Sequence, residues 1–216
     1  MAVPPAGFER VVLASGNPGK LREFRELLGG LGIELIAQSE LGIGDADETG
    51  LTFVENALIK ARHAATQSGL PALADDSGLC VDALGGAPGL YSARYAGPGA
   101  GDQANNGKLL AALAGVPDER RGAHYVCVLA LVRSATDPDP LIATGRWHGC
   151  ILASARKLGG FGYDPVFGLT TQGPAASEIS PLAKNAHSHR GVAARKLLER
   201  LTGRDERGTQ SRLSEL

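Results

Sequence analysis

The stretch LPALADDSGLCVDA, residues 70–83, decides the reading of the fold. Its flanks, Pro71 to Ala74 and Leu79 to Ala83, are short apolar runs and are predicted as buried strands on either side of Asp75-Asp76-Ser77-Gly78. Adjacent carboxylates at the exit of a buried strand are costly. Burial disfavours their charged form, and each repels the other. A cation relieves both costs. Mg²⁺ suits the place because it prefers oxygen ligands and is often held by one or two carboxylates plus substrate phosphates. Asp, Ser and Gly also suit an ordinary polar turn.

Upstream, Arg10 to Ala14 reads as a buried strand and Glu34 to Ala37 as another. Between them Ser15 to Lys20 forms a loop into a helix, with Asn17 as N-cap and Pro18 in the first helical position. Leu21, Phe24, Leu27, Leu28 and Leu31 follow helical spacing. Thr52-Phe53-Val54-Glu55 fits a capping box that opens a helix to about Ser68. Val54, Leu58, Ala61 and Ala65 give that helix an apolar stripe, and Asn56 and Lys60 share another face.

Downstream, Gly85 to Gly101 is a Gly/Pro-rich loop, and Asp102 to Ala114 is predicted helical. Tyr125 to Arg133 and Leu141 to Leu152 read as antiparallel strands, with a further strand at Val166 to Leu169 and a last helix at Val192 to Leu201. Arg204 to Leu216 is polar and expected to fray. No repeat or linker divides the chain, so residues 1–203 are read as one domain followed by a tail, 204–216. The order of elements predicts an α/β fold with a mixed sheet.

Bulk properties narrow the function. With 216 residues, 43 % hydrophobic, the chain is long enough for a sizeable core. A net charge of −1 offers no global attraction to nucleic acid or membrane. Val126 to Val132 is too short an apolar run to span a bilayer. Cys80, Cys127 and Cys150 lack metal-type spacing and read as reduced thiols of a cytoplasmic protein. Met1 to Arg10 has no signal-peptide pattern.

Further segments carry candidate chemistry. Ser15-Gly16-Asn17-Pro18-Gly19-Lys20 places free N–H groups, a helix dipole and a lysine where a phosphate could sit. It lacks the spacing of a Walker A loop and also reads as an ordinary capped helix start. Glu48, in Asp47-Glu48-Thr49-Gly50, is a candidate ligand for the same metal as Asp75 and Asp76. Solvated acids and a surface Lys60 are the plainer reading. Gly160-Phe161-Gly162-Tyr163-Asp164-Pro165 offers aromatics between glycines, either for stacking or as a turn with a core aromatic. Lys184 and Ser188-His189-Arg190-Gly191 gather hydrogen-bond donors, although a histidine at a helix start is often structural.

Taken together and in this order, the motifs resemble the inosine triphosphate pyrophosphatase family, the non-standard purine nucleoside triphosphate pyrophosphatases. The matching stretches are LASGNPGK (13–20), DETGLTFVENALIKARHAA (47–65), PALADDSGLCVDALGGAPGLYSARYAG (71–97), GFGYDPVF (160–167) and SHRG (188–191). The resemblance implies an elongated mixed β-sheet flanked by helices, two lobes around a central substrate cleft, and a homodimer. It implies Mg²⁺-dependent hydrolysis of ITP, dITP and XTP to the monophosphate and pyrophosphate.

By the same resemblance, Ser15, Gly16, Asn17, Pro18, Gly19 and Lys20 would hold the triphosphate, with Lys60 and Ser77 also on the substrate. Glu48 and Asp76 would bind the metal. Asp76 would accept the proton, with Asp75 beside it. Phe161, Gly162, Tyr163, Asp164, Lys184, His189 and Arg190 would hold the base. Two loops depart from the family's usual pattern: Ser154 to Leu158, and Pro181-Leu182-Ala183 where an acidic pair is usual. The alternatives are the related septum-formation nucleotide pyrophosphatases, whose opening usually reads Ser-Pro-Arg-Arg, a non-catalytic nucleotide-binding module, and an aspartyl-phosphate phosphatase.

Overall fold

The computed structural model of the chain describes residues 4–156 and 160–203. The expected fraying of the 204–216 tail lies outside them, as do Lys157 and Leu158 of the first departing loop. The strands are β1 (Arg10–Ala14), β2 (Glu34–Ala37), β3 (Ala72–Val81), β4 (Gly122–Val132), β5 (Leu141–Ile151) and β6 (Phe167–Gly168). The helices are α1 (Pro18–Leu28), α2 (Phe53–Ser68), α3 (Asp102–Ala112), α4 (Pro181–His187) and α5 (His189–Leu201). The α/β class and the mixed sheet are as the sequence predicts. The strand order is β2-β1-β3-β4-β5-β6, with β1 parallel to both β2 and β3 and β5 antiparallel to β6.

Local signals account for the N-terminal elements. Asn17 Oδ1 accepts from the Gly19 and Lys20 amides at 2.8 and 3.3 Å, and Pro18 follows it as the first residue of α1. Thr52 Oγ1 accepts from the Glu55 amide at 3.2 Å, opening α2. Glu55 Oε2 reaches back one residue further than a capping box requires, to the Leu51 amide at 2.9 Å. Gly69, with φ of +67°, ends this helix in the left-handed region.

Several boundaries differ from the sequence reading. The tetrad does not interrupt the sheet: β3 runs unbroken through Asp75-Asp76-Ser77-Gly78. Tertiary partners for the two carboxylates, described below, override the turn preference of these residue types. The buried face of α2 is Asn56, Ala57, Ala61, Ala64 and Ala65, and Val54 is exposed. This stripe of small side chains packs against β1. Inside the Gly85 to Gly101 loop, Gly89–Arg94 forms a 3-10 turn. Ser180 Oγ caps the short α4, which apolar periodicity did not reveal, and α5 starts three residues before Val192.

The chain divides into two compact units. Among the described residues, the first holds 4–76, Val128–Gly145 and 191–203. Its core includes Val12, Leu13, Phe24, Leu73 and Leu129, all essentially inaccessible. The second holds Ser77–Cys127 and Arg146–Arg190. Its core joins Leu79, Leu109, Leu113, Tyr125, Trp147, Tyr163 and Phe167. The rings of Tyr125 and Trp147 each lie tilted against Phe167, at 4.8 and 5.2 Å between centroids. Among the described residues, no helix is long and apolar enough to cross a membrane.

Candidate active site

In the first unit, strand geometry separates the two adjacent carboxylates. Neighbouring residues of a strand point to opposite faces. Asp75 forms an ion pair with Lys20 of α1, and Asp76 is held by Lys60 of α2. Each carboxylate therefore has its own lysine, delivered by its own helix. Asp75 has no exposed side-chain surface, and burial of that degree demands a charge partner.

Lys60 Nζ donates to Asp76 Oδ1 at 2.6 Å and to Glu48 Oε1 at 2.9 Å. Burial alone would lower the Lys60 ammonium. The charges of Asp76 and Asp75, and the hydrogen bonds to Asp76 and Glu48, more than offset this and hold it above the usual lysine range. Burial pushes the Asp76 carboxyl up. Lys60 pulls it back, and the charges of Glu48 and Asp75 add to the rise.

Glu48 is placed by the turn before α2. The Gly50 amide donates to Asn56 Oδ1 at 2.8 Å, and a Cβ on Gly50 would come within 2.6 Å of Glu55 Cβ. Only glycine fits there. In the Ser15 to Lys20 loop, Ser15 Oγ accepts from the Asn17 amide at 3.2 Å. Asp45, which the sequence reading passed over, faces Gly16: a Cβ there would lie 3.4 Å from its Oδ1.

Glu48 and Asp76 bring two carboxylate oxygens to one point, at present marked by the Lys60 ammonium. Among the described residues, no group of three or more His, Cys, Asp and Glu could form a protein cage for a metal. Two carboxylates with the other positions left to water and phosphate fit Mg²⁺, which seldom takes an all-protein shell.

The second unit gathers the other candidates. Gly160 has φ of +74°, and a Cβ on it would lie 2.3 Å from Asp164 Oδ2. The turn that it permits lets Asp164 Oδ2 accept from the Phe161 amide at 3.1 Å and from Lys184 Nζ at 2.6 Å. Half-buried Phe161 lies beneath two cations, Lys184 Nζ at 4.6 Å and the Arg190 guanidinium at 5.4 Å from the ring centroid.

Arg190, 2 % exposed, donates to Ser77 Oγ at 3.2 Å. The ring of buried His189 stacks on Tyr125 at 4.6 Å and 9°. Tyr163 serves the core: its ring is buried, and its hydroxyl donates to the Ser92 carbonyl at 2.8 Å. Burial, with Tyr95 and Asp102 nearby, raises that hydroxyl well above the usual range. Of the two aromatics of this turn, Phe161 is therefore half-buried with its ring under two cations, and Tyr163 is the core aromatic.

The sequence candidates thus form two groups. Lys20, Glu48, Lys60, Asp75 and Asp76 belong to the first unit, and Ser77, Phe161 to Asp164, Lys184, His189 and Arg190 to the second. The sequence reading missed Asp102 and Asn106 of α3, which hold Gly162, and Tyr125 beneath His189. No local pattern marks them, since their partners lie far along the chain.

The Ham1 family matches residues 11–200. A Yersinia pseudotuberculosis protein named dITP/XTP pyrophosphatase is 56% identical over 193 residues, 89% of this chain and 98% of that protein. A protein of the same name from Thioalkalivibrio sulfidiphilus is 56% identical over 195 residues, 90% of this chain and 100% of its own. The structure of a Ham1 protein from Coxiella burnetii aligns with a TM-score of 0.83 at 51% identity, covering 90% of this chain and 98% of that one.

Proposed function

Because this chain belongs to the Ham1 family, we propose that it hydrolyses the non-standard purine nucleotides ITP, dITP and XTP to the monophosphate and pyrophosphate. It would thereby clear them from the nucleotide pool. The observation that carries this reading is the convergence of Glu48 and Asp76 on Lys60. Relatives named dITP/XTP pyrophosphatase support it at 56% identity. The reading includes a cytoplasmic homodimer acting on a purine nucleoside triphosphate, with no nucleic-acid partner.

Pyrophosphate leaves in one piece only if water attacks the α-phosphorus. Glu48 and Asp76 would hold Mg²⁺, whose bound charge stabilises the charge that develops on the phosphates. Lys20, beside the Ser15 to Gly19 loop, and Lys60 add positive charge in the same unit. Asp76 orients the attacking water and takes its proton.

The base is the task of the second group. Hypoxanthine and xanthine carry a 6-keto acceptor where adenine carries an amino donor. Lys184, His189 and Arg190 are donors, and Phe161 offers a ring face. A 6-amino group set against them leaves a donor unpaired, at about 1–3 kcal/mol for each bond lost. A site built from such donors discriminates strongly.

The test is to incubate the protein with Mg²⁺ and ITP or ATP and to measure pyrophosphate separately from phosphate. Pyrophosphate from ITP with little from ATP is expected. Single phosphates would point instead to phosphatase chemistry, and binding without turnover to a nucleotide-binding module.

A further inference from the structure

We infer that Asp102 and Asn106 of α3 are positioning residues for base selection, acting through Gly162. The inference rests on the proposed reading of Phe161 to Asp164 as part of the base-holding group. Asp102 Oδ2 accepts from the Gly162 amide at 2.6 Å, and Asn106 Nδ2 donates to the Gly162 carbonyl at 3.1 Å. One residue is thus gripped at both of its backbone polar groups. Asp102 and Asn106 are four apart on a helix, so their side chains share a face.

The grip matters because of what flanks it. Gly162 has φ of +63° and links Phe161 to Tyr163-Asp164. Held at its N–H and its C=O, it fixes the orientation of both adjoining peptide planes. Those planes aim the Phe161 ring on one side and carry the chain to the Asp164 carboxylate on the other. The Asp102 bond is charge-assisted and short, the stronger kind.

The helix that supplies the grip is itself anchored within its unit. Asn105 Oδ1 accepts from the Ala96 amide at 2.8 Å, and its Nδ2 donates to the Ala93 carbonyl at 3.2 Å. Leu109 and Leu113 are buried in the core. At the far end, the guanidinium of buried Arg121 donates to the carbonyls of Leu113 at 2.8 Å, Val116 at 3.0 Å and Leu152 at 3.1 Å. The loop is therefore set against a fixed helix. Such support bears on how the base is oriented, and so on KM and base preference.

Two readouts test the inference. Hydrogen exchange at the Gly162 amide, followed by NMR without substrate, reports the grip itself. Steady-state kinetics with ITP and ATP report its consequence. Asp102→Ala removes the acceptor, whereas Asp102→Asn retains an acceptor oxygen without the charge.

In Asp102→Ala, faster Gly162 exchange is expected together with a KM for ITP raised about tenfold. The kcat should change little and the ITP over ATP preference should shrink. Asp102→Asn should recover most of both readouts. Unchanged exchange, or faster exchange with an unaltered KM and ITP to ATP ratio, overturns the inference. An Asp102→Asn variant as impaired as Asp102→Ala also overturns it. A wild-type protein that releases no pyrophosphate from ITP overturns the proposed function instead, and the exchange measurement still decides whether α3 holds the loop.

Discussion

The Lys60 ammonium donates to Asp76 Oδ1 at 2.6 Å, joining α2 to β3 at the carboxylate that would activate water. The lysine offsets part of the burial penalty on that carboxylate without cancelling it. Asp76 therefore stays more basic than an exposed aspartate while remaining ion-paired. The same ammonium holds Glu48, so one cation organises both candidate metal ligands.

Asp76→Asn keeps the shape of the side chain and removes its basicity. The fold should persist, because Lys60 retains Glu48 as a partner. Pyrophosphate release from ITP should fall by roughly 10²–10⁴-fold, the usual scale for a lost general base. Near-wild-type turnover would remove Asp76 from that role.

Lys20→Met takes the lysine from a carboxylate with no exposed side-chain surface. Breaking a buried pair from one side costs about 3–5 kcal/mol. Urea unfolding should show a loss on that scale, and adding Asp75→Asn should recover part of it. A variant as stable as wild type would mean that Asp75 is satisfied without Lys20.

Gly160→Ala places a Cβ within 2.3 Å of Asp164 Oδ2 at a positive φ. Strain of this kind costs of order 1–3 kcal/mol. The thermal midpoint should drop, and the KM for ITP should rise as Asp164 is pushed from the Phe161 amide and from Lys184. An unchanged KM with a lowered midpoint would confine Gly160 to a structural role.

Lys60 sets a pH dependence at the alkaline end. Its folded-state value lies above the ordinary 10.5. Its contribution to stability is therefore fully present below that ordinary value and is lost as pH rises through the higher folded one. Urea unfolding of metal-free protein across this range should show a steeper decline for wild type than for Lys60→Met. Parallel curves would contradict the raised value.

Much of the framework was legible along the chain. The limits of β1 and β2, the Asn17 cap with Pro18, and the span of α2 follow from short-range terms: apolar runs, caps and helix-ending glycines. The motif residues were legible too, since their types and order suffice to place the chain beside its family. The course of β3 was not. Asp-Asp-Ser-Gly is turn-prone by itself, and lysines contributed by α1 and α2 help make a continuous buried strand affordable there. Val54 was misplaced for a related reason. Helical spacing identifies an apolar stripe, but the tight packing of α2 on β1 selects the alanines.

By itself the sequence determined the α/β class, the limits of β1, β2 and α2 and the residue types able to do chemistry, because these depend on neighbours a few positions apart. The tertiary structure decided which charges pair and what those charges face. It divided Asp75 from Asp76 between two lysines, put Tyr163 in the core while leaving Phe161 under two cations, and brought Asp102 and Asn106 to Gly162. Such pairings join residues far apart along the chain. Their energies come from burial and from the approach of charges in space, neither of which is encoded in spacing along a single segment.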